Sequence, residues 1–357
     1  MITFPELSGI DVNLALLIFV GFGAGILSGF AGVGGAFIVT PALIILGFPA
    51  NLAVGTSLAW VMGNAIVGAF RHRELGNVDM KLGLVILVAA MGGMEVGVRV
   101  LNWTKDAGLA DEAVLSITIC VLLLVGSYTM RESARRKRQL DKMIERKEEL
   151  PPAMRESSLS QKLHRIKLLP MLHFAKSDIT ISLWIILAIG FFIGMLAGIM
   201  GVGGGFIMVP ILVYVVGLPS FMAVGTDLFQ IIFSAAYGCI RHTMSGNVII
   251  FAAFVMLISS SIGVQYGVVV TRYVRGLSVR IILGISILLV AVGSILKLLS
   301  IRLGGAPVWL GVWSIAITFG SVWLAVMMIL ALFIMALRYR RGHYIPVWVK
   351  SLVAKED

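Results

Sequence analysis

The chain contains little charge and very little cysteine for its length. Only 13% of its 357 residues are charged and two are cysteine, whereas 59% are hydrophobic. A soluble domain is about half apolar and a quarter charged, so this composition excludes an ordinary water-soluble protein. Cys120 and Cys239 lie in apolar stretches, where a thiol behaves as a small buried hydrophobe, and we expect no disulfide framework. The composition predicts a multi-pass integral membrane protein.

Positive charge is absent from the start of the chain, because the first basic residue is Arg71. A secretory signal peptide needs a basic segment ahead of its apolar core, so we expect the first apolar segment to be retained. The formal net charge of +11 has another origin: 13 of the 29 Lys and Arg lie at 131–178, with 7 Asp and Glu. In a membrane protein such a cluster indicates a cytoplasmic loop, and we expect no nucleic acid partner.

A glycine-rich pattern, Gly-Val-Gly-Gly-(Ala/Gly)-Phe-Ile-x-x-Pro, occurs at 32–41 and again at 201–210. From Gly47 onward the two halves match at a constant offset of 170 residues, and before Gly47 the offset is 169. The matches include Pro49/Pro219, 53–56/223–226, Arg71-His72/Arg241-His242, 76–78/246–248, Gly93/Gly263 and Gly97/Gly267. Chance does not produce so many matches among rare and polar residues, so the chain is an internal duplication.

Apolar runs predict five segments in each half and one unpaired segment. They are 13–31, 34–48, 51–70, 78–100 and 112–130, then 179–200, 202–217, 222–240, 248–270 and 280–300, and finally 308–337. The two segments that follow the glycine motifs are shorter than the roughly 20 residues with which a helix spans a bilayer. Glycine and proline break membrane helices, and broken backbone survives only where it is buried in protein or lines a cavity. Matching breaks in two halves point to the binding site of a transporter.

The predicted fold class is an all-α polytopic membrane protein. It has two inverted-topology repeats with broken or short helices at the glycine motifs, and an extra C-terminal helix. We divide the chain into membrane repeat 1 at 13–130, a basic cytoplasmic linker at 131–178, membrane repeat 2 at 179–300, an additional transmembrane helix at 308–337 and a basic cytoplasmic tail at 338–357. Within the linker, 131–149 has no Gly or Pro and should continue the preceding helix, with pairs such as Glu132/Arg136.

Loop charges indicate that the repeats are inverted. One loop of the first half carries Arg71, Arg73 and Lys81, and the matching loop of the second half carries only Arg241. In the next loop the charge bias reverses. The first half has Lys105 among the acidic Asp106, Asp111 and Glu112, whereas the second half has Arg272, Arg275 and Arg280. Equivalent loops with opposite bias are expected when each lies on the opposite side of the membrane. Five crossings per repeat then leave the acidic N-terminal residues Glu6 and Asp11 outside and the basic tail inside. We expect a bacterial inner membrane location with the linker and C-terminus cytoplasmic.

These motifs, each followed by a short apolar stretch, a Gly-x-Pro turn and an Ala-Val-Gly-Thr segment, resemble the TauE/SafE sulfite-exporter family of membrane permeases. The similarity covers nearly all of 13–300. It implies a small anionic substrate such as sulfite, an organosulfonate or a related sulfur-containing acid, without choosing among them. It assigns no residue roles beyond the motif glycines and prolines.

The glycine motifs have two competing interpretations. A nucleotide-binding loop is excluded, because no Gly-Lys-Ser/Thr follows and Phe37 and Phe206 stand where a dinucleotide motif needs glycine. The glycines either let helices pack closely or expose backbone N–H groups at half-helix N-termini, which suit an anion. On the second interpretation the candidate substrate-binding residues are Gly32, Gly34, Gly35, Gly201, Gly203, Gly204 and Gly205.

Polar residues follow the motifs in equivalent pairs. Thr56-Ser57 corresponds to Thr226-Asp227, Asn64 to Ser234 and Glu95 to Gln265, and Gln230 lies one turn beyond Thr226. Polar groups in membrane helices should point to the bundle interior, so Thr56, Ser57, Thr226 and Gln230 join the candidate substrate-binding residues. For the hydroxyls, bonding to their own helix is the alternative. Arg71 and Arg241 either anchor helix ends or form the two mouths of the pathway.

Asp227 is the candidate ion-coupling residue. An ionised carboxylate within a span costs roughly 3 kcal/mol on insertion scales. Asp227 therefore stays protonated or pairs with a cation, and either state would couple anion movement to a proton, which we favour, or to Na⁺. The alternative is a carboxylate that is bound to neighbouring donors and never titrates.

Taken together, the sequence predicts a secondary transporter of a small anion that works by alternating access. An anion channel is the alternative. An enzyme is not expected, because neither His-Glu-x-x-His nor Gly-x-Ser-x-Gly is present. We expect no cofactor or metal, the lipid bilayer as surroundings, and leave a homo-oligomer open.

Overall fold

The computed structural model describes residues 2–3, 11–31, 34–145, 168–271, 273–274, 276–303 and 307–341, with positions 346 and 352. The side chains of residues 2, 3, 11, 71 and 143–145 lie outside this description. The described helices are α1 (Leu14–Ala31), α2 (Ala36–Ile45), α3 (Ala50–Glu74), α4 (Met80–Asp106), α5 (Ala110–Glu145), α6 (Leu183–Met200), α7 (Gly205–Ile211), α8 (Ser220–Met244), α9 (Ile250–Thr271), α10 (Gly276–Arg302) and α11 (Val308–Arg340). Short antiparallel pairs join β1 (Ile2–Thr3) to β2 (Asp11–Val12) and β3 (Met171–Phe174) to β4 (Ile179–Ser182).

Within the described ranges, nine helices are long and apolar enough to cross a membrane. The prediction of an all-α polytopic membrane protein is confirmed. The helices after the glycine motifs are the short ones: α2 has 10 residues, and α7 has 7 before it continues as a π-helical turn over Leu212–Val216. The 36 residues of α5 would extend about 54 Å, well beyond an apolar bilayer core of about 30 Å. Its extension carries the predicted pair, with Arg136 Nε 3.1 Å from Glu132 Oε1.

The two halves pack on each other reciprocally. The first helix of each half packs on the fourth helix of the other, α1 on α9 and α6 on α4. Glycine permits this close approach, because a Cβ at Gly93 would clash with the carbonyl oxygen of Phe191 and one at its duplicate Gly263 with that of Phe22. Duplicated glycines therefore do the same packing work in both halves, as expected for small residues between membrane helices.

Equivalent helices cross each other antiparallel. In the α3–α8 pair, Gly68 lies against Leu228 and Gly238 against Leu58. The fifth helices behave in the same way, with Gly126 of α5 near Ile287 of α10 and Gly284 near Met130. A two-fold axis perpendicular to the helices produces this arrangement, and in a bilayer such an axis lies in the membrane plane.

We call the end of the bundle at which α3 finishes and α8 begins the basic end. The α5 extension points there, and Arg340 of α11 lies 5.0 Å from the ring centre of Tyr273, just before α10. At the opposite end, where α3 begins, Asn247 accepts hydrogen bonds from Asn51 at 2.9 Å and from Lys105 at 2.9 Å. Of the loop charges that predicted inversion, Arg272 and Arg275 lie outside the described residues. Inversion relative to the membrane stays a prediction.

Single cysteines at the two ends should label from opposite sides of the membrane. Leu75, beside Asn77, is 44% exposed and Met244, beside Asn247, is 73% exposed, so each accepts a reagent. In a background with Cys120→Ala and Cys239→Ala, Leu75→Cys should react with an impermeant maleimide from the cytoplasmic side and Met244→Cys from the other. Leu169→Cys in the linker, 82% exposed, is the cytoplasmic control. Labelling of both test positions from one side would rule out inversion.

Candidate functional site

The structure brings the two glycine motifs together where α3 crosses α8. A Cβ at Gly34 would lie 3.8 Å from Val61 Cγ1 and 3.9 Å from Ile231 Cδ1. At the equivalent Gly203, the same two residues are the neighbours, at 2.7 Å and 3.6 Å. The rings of the duplicated pair Phe37 and Phe206 are 5.8 Å apart between centroids. Both breaks therefore meet inside the bundle, on side chains that are themselves equivalent.

Each motif turns the chain through left-handed backbone before a short helix begins. Gly34 and Gly35 have φ values of 72° and 70°, and Gly203 and Gly204 have 67° and 85°. Residues with a side chain rarely adopt this left-handed backbone conformation, which explains why glycine occupies these positions. Gly35 immediately precedes α2 and Gly204 immediately precedes α7. Two helix N-termini, which carry partial positive charge, therefore begin within two residues of the crossing.

The other motif glycines have different positions. Gly201 ends α6 with a φ of 72°, and Gly205 is the first residue of α7. A Cβ at Gly201 would lie 2.6 Å from the backbone of Val54, so this glycine is needed for packing against α3. Gly32 lies outside the described residues.

Buried polar side chains lie within one helical turn of the crossing. Ser57 and Asn64 precede and follow Val61 on α3, and both are fully buried. The Ser57 hydroxyl and both amide atoms of Asn64 have no hydrogen-bond partner among the described residues. Buried polar groups are nearly always paired, so unpaired ones beside a broken helix indicate a place that binds water or a ligand.

On α8 the equivalent positions carry a carboxylate and an amide. Asp227 lies one turn before Ile231 and is 0% exposed. Its Oδ1 accepts a hydrogen bond from Gln230 Nε2 at 3.1 Å, whereas Asp227 Oδ2 and Gln230 Oε1 have no partner among the described residues. The ion pairs formed within the described part of the chain do not include Asp227. Whether this carboxylate is protonated, paired with a cation or held by neighbouring donors without titrating stays a prediction.

Thr56 and Thr226 are at the two ends of the α3–α8 pair and not at the crossing. Thr56 Oγ1 accepts a hydrogen bond from the N–H of Ile249 at 3.0 Å, just before α9. Thr226 Oγ1 accepts one from the N–H of Asp79 at 2.9 Å, just before α4. These reciprocal bonds fix the start of the following helix in the other half. The sequence also allowed these hydroxyls to bond to the backbone of their own helices, and these two bonds are of a different kind. A contact of either threonine with substrate stays a prediction.

Arg241 is engaged by Glu95 of α4. Its Nε lies 2.6 Å from Oε2 and its Nη2 2.9 Å from Oε1, so the contact is bidentate. Tyr237 and Arg99 also donate to this carboxylate, at 2.8 Å each. Glu95 is therefore fully paired, and Arg241 joins α8 to α4. Its role as a mouth of the pathway stays a prediction, and the side chain of Arg71 lies outside the described residues.

The site is less symmetric than the sequence repeat suggests. Trp60 stands where the second half has Gln230, and its ring lies 3.0 Å from a Cβ position at Gly35. Its indole N–H donates to Ser260 Oγ at 3.0 Å. We had not singled out Trp60 from the sequence, although the offset of 170 pairs it with Gln230. At this pair of positions α8 therefore presents a polar side chain to the crossing and α3 an aromatic one.

Two broken helices that meet inside a membrane-spanning bundle define the class of the protein, a membrane transporter. Comparisons with known proteins agree. The family model described as "Sulfite exporter TauE/SafE" matches residues 17–294, and the chain belongs to this family. The prediction made from the motifs is confirmed.

Several relatives carry the same general description. A probable membrane transporter protein of Methanocaldococcus jannaschii is 29% identical over 206 residues, which cover 56% of this chain and 61% of that protein. The probable membrane transporter proteins YunE and YdhB of Bacillus subtilis are 23% and 26% identical, over 78% and 77% of this chain and 96% and 95% of their own lengths. No solved structure matches the chain significantly.

Proposed function

We propose that the chain is a secondary transporter of a small sulfur-containing anion. The observation that carries this proposal is the meeting of Gly34 and Gly203, just before the N-termini of α2 and α7, at Val61 and Ile231. Unpaired backbone N–H groups and two helix dipoles attract an anion without a buried arginine. Asn64 and Gln230, buried and incompletely paired, supply further polar contacts at the same depth.

Sulfite and organosulfonates fit this donor set chemically. Both present a compact group of three oxygens on sulfur, which accepts hydrogen bonds from several directions at once. The name of the family supports the same substrate class. The choice between an inorganic and an organic member depends on the room beyond the three oxygens.

The proposed mechanism is alternating access between equivalent halves. Each half contributes one broken helix to the centre and one set of contacts to each end of the bundle. Because the contacts of one half are repeated by the other, exchanging their arrangements would open one end and close the other at little cost. The sequence contains no ATP-binding motif, so an ion gradient or the gradient of the anion must supply the energy.

Counterflow in proteoliposomes tests the proposal. Vesicles loaded with unlabelled sulfite should accumulate labelled sulfite transiently above its external concentration, because a carrier exchanges one anion for another. Sulfate, thiosulfate and methanesulfonate in the outer buffer should compete according to their fit. An anion channel, the alternative, would equilibrate the label without an overshoot. Vesicles that transport none of these anions would contradict both.

A further inference from the structure

A cavity with a mainly apolar lining lies at the basic end of the bundle, away from the crossing. It is enclosed by the first turns of α8 and α10, by α5, and by the end of α3. Its polar lining consists of His72, Thr129, Tyr214, Ser220 and Arg280. Pro210 of α7 also lines it, about 7 Å further along that helix than Gly205.

The opposite end of the molecule shows what the equivalent place normally holds. There the first turn of α5 delivers Asp111, whose Oδ1 accepts a hydrogen bond from the N–H of Ala50 at 2.7 Å. Ala50 is the first residue of α3, so a carboxylate of the protein neutralises the positive N-terminus of that helix. The first half thus provides its own anion.

The second half has the same helix contact without the carboxylate. The first residue of α10, Gly276, lies against the first residue of α8, with a Cβ position 3.6 Å from Ser220 Oγ. In the fifth helices the offset shortens to 167, because Gly126-Ser127 of α5 match Gly293-Ser294 of α10, and Ser278 then takes the sequence position of Asp111. Neither α8 nor α10 has an acidic residue in its first turn. Within the described residues, the first turns of these two helices therefore lack the carboxylate that Asp111 supplies in the first half.

Positive charge is concentrated in its place. The Arg280 guanidinium donates a hydrogen bond to Ser220 Oγ and lies 5.1 Å from the ring centre of Tyr214. Arg136 reaches the same ring at 5.6 Å, and the neighbouring Glu132 is paired with Arg136. Two helix N-termini and Arg280 therefore meet in an apolar bundle, an arrangement that a bound anion would stabilise.

Two buried polar side chains that line this cavity have no partner of their own. His72 is 2% exposed and neither ring nitrogen has a hydrogen-bond partner among the described residues. Thr129 is 1% exposed, and its hydroxyl also lacks a partner within the described part of the chain. The counterpart of His72, His242, is used differently, with Nε2 3.2 Å from the carbonyl oxygen of Gly198.

We propose that this cavity is a second anion site, which binds a sulfonate-type group on Arg280 and on the N-termini of α8 and α10. His72 and Thr129 supply further hydrogen bonds. Since Pro210 belongs to the helix that starts at the crossing, an anion held here lies between the basic end and the central site. Only the identity of this ligand as the transported anion rests on the proposed function. Binding itself requires no transport.

Calorimetric titration of the purified protein with sodium methanesulfonate tests the second site. The wild type should bind two anions per chain, and Arg280→Gln should bind one, with at least a tenfold loss at the other. Arg302→Gln is the matched control, because Arg302 pairs with Glu112 at 3.2 Å at the opposite end. Undiminished stoichiometry in Arg280→Gln would overturn the proposal. A protein that transports nothing, yet binds methanesulfonate in an Arg280-dependent way, would refute the proposed function and leave this site standing.

Two further variants guard against a folding defect in Arg280→Gln. Gly276→Asp installs the missing carboxylate where a Cβ has room, so it should remove one binding event while keeping or raising the melting temperature without methanesulfonate. Thr129→Val retains shape and should weaken that event several-fold. Unchanged titrations in both variants would count against the site. A parallel titration with dihexanoyl-phosphatidylglycerol identifies the source: Arg280-dependent binding of this lipid alone would overturn the assignment to a small free anion.

Discussion

Gly34→Ala should weaken anion binding at the α3–α8 crossing and leave the protein folded. A methyl group at Gly34 meets Val61 and Ile231 only at ordinary contact distances of 3.8 Å and 3.9 Å, so it fits. It would, however, stand over the backbone between the two helix N-termini, where the anion must approach. We expect the central binding event to weaken at least tenfold, about 1.4 kcal/mol, and counterflow of sulfite to fall accordingly.

Gly76→Ala is the matched control. Gly76 has a φ of 73°, against 72° for Gly34, and nothing lies within 4 Å of its Cβ position. Both substitutions therefore pay a similar penalty for left-handed backbone, roughly 1–2 kcal/mol, and neither creates a clash. If the two variants have equal melting temperatures and only Gly34→Ala binds the anion more weakly, the loss is due to the position of Gly34 at the crossing. If both variants bind and transport like the wild type, the Gly34 motif serves helix packing only.

Gly203→Ala shows why the first motif is the better place for this test. Its methyl group would lie only 2.7 Å from Val61 Cγ1, so side chains must shift and packing is lost together with binding. A loss of binding in Gly203→Ala would therefore not distinguish a packing role of the glycine motif from an anion-binding role, whereas Gly34→Ala does.

The segment boundaries could be predicted from the sequence because the bilayer imposes a simple rule. A spanning helix must be apolar and continuous, so the predicted segment 308–337 corresponds closely to α11 at Val308–Arg340. The duplicated glycines could be located for the same reason, since broken backbone is costly in lipid. Their meeting at Val61 and Ile231 follows from the two-fold arrangement of the halves.

Contacts that break the repeat could not be predicted in this way. Nothing in the sequence brings Glu95 to Arg241, 146 residues away, and the corresponding residue of the second half is the neutral Gln265. The hairpin β3–β4 was also missed. Its turn residue Ser177 donates to Asp79 and so ties the linker to the start of α4, a local polar contact inside a stretch that composition marks only as basic.

The same holds for Asp111 and Arg280. In the sequence each is one charge among several near a helix start. Their roles follow only from the packing of α5 and α10 against the first turns of α3 and α8. Asp111 supplies a carboxylate to the N-terminus of α3. Arg280 contacts the first turn of α8, where no carboxylate is present among the described residues. These roles depend on which side chains contact each other between helices, and the hydrophobic periodicity of the sequence does not predict such contacts.

Asp227→Asn should uncouple anion movement from the proton gradient while preserving anion exchange. Asp227 lies one turn, about 6 Å, from Ile231 at the crossing. An ionised carboxylate there would repel the anion, whereas a protonated one would not, so anion and proton would be favoured together. Asparagine keeps the shape and can still accept from Gln230, but its amide neither takes up nor releases a proton near neutral pH. Counterflow should stay within about twofold of the wild type, while accumulation driven by a pH gradient should disappear.

Two other carboxylates serve as controls for this change. In the wild type, Asp79 Oδ1 accepts a hydrogen bond from the N–H of Leu82 at 3.1 Å. Asp79→Asn keeps an acceptor for this N–H and should leave coupling intact. Glu95→Gln removes a carboxylate that Arg241, Arg99 and Tyr237 already satisfy, so it should lower stability without changing the pH dependence.

Parallel assays with a pH gradient and with a Na⁺ gradient decide which ion is coupled. Loss of pH-driven accumulation in Asp227→Asn, with both controls normal, identifies Asp227 as the proton-coupling residue. Loss of Na⁺-driven accumulation instead would keep Asp227 as the coupling residue and replace the proton by Na⁺. If Asp227→Asn still accumulates sulfite against its gradient with normal pH dependence, the carboxylate never titrates during transport. Its single bond to Gln230 would then be a structural contact alone.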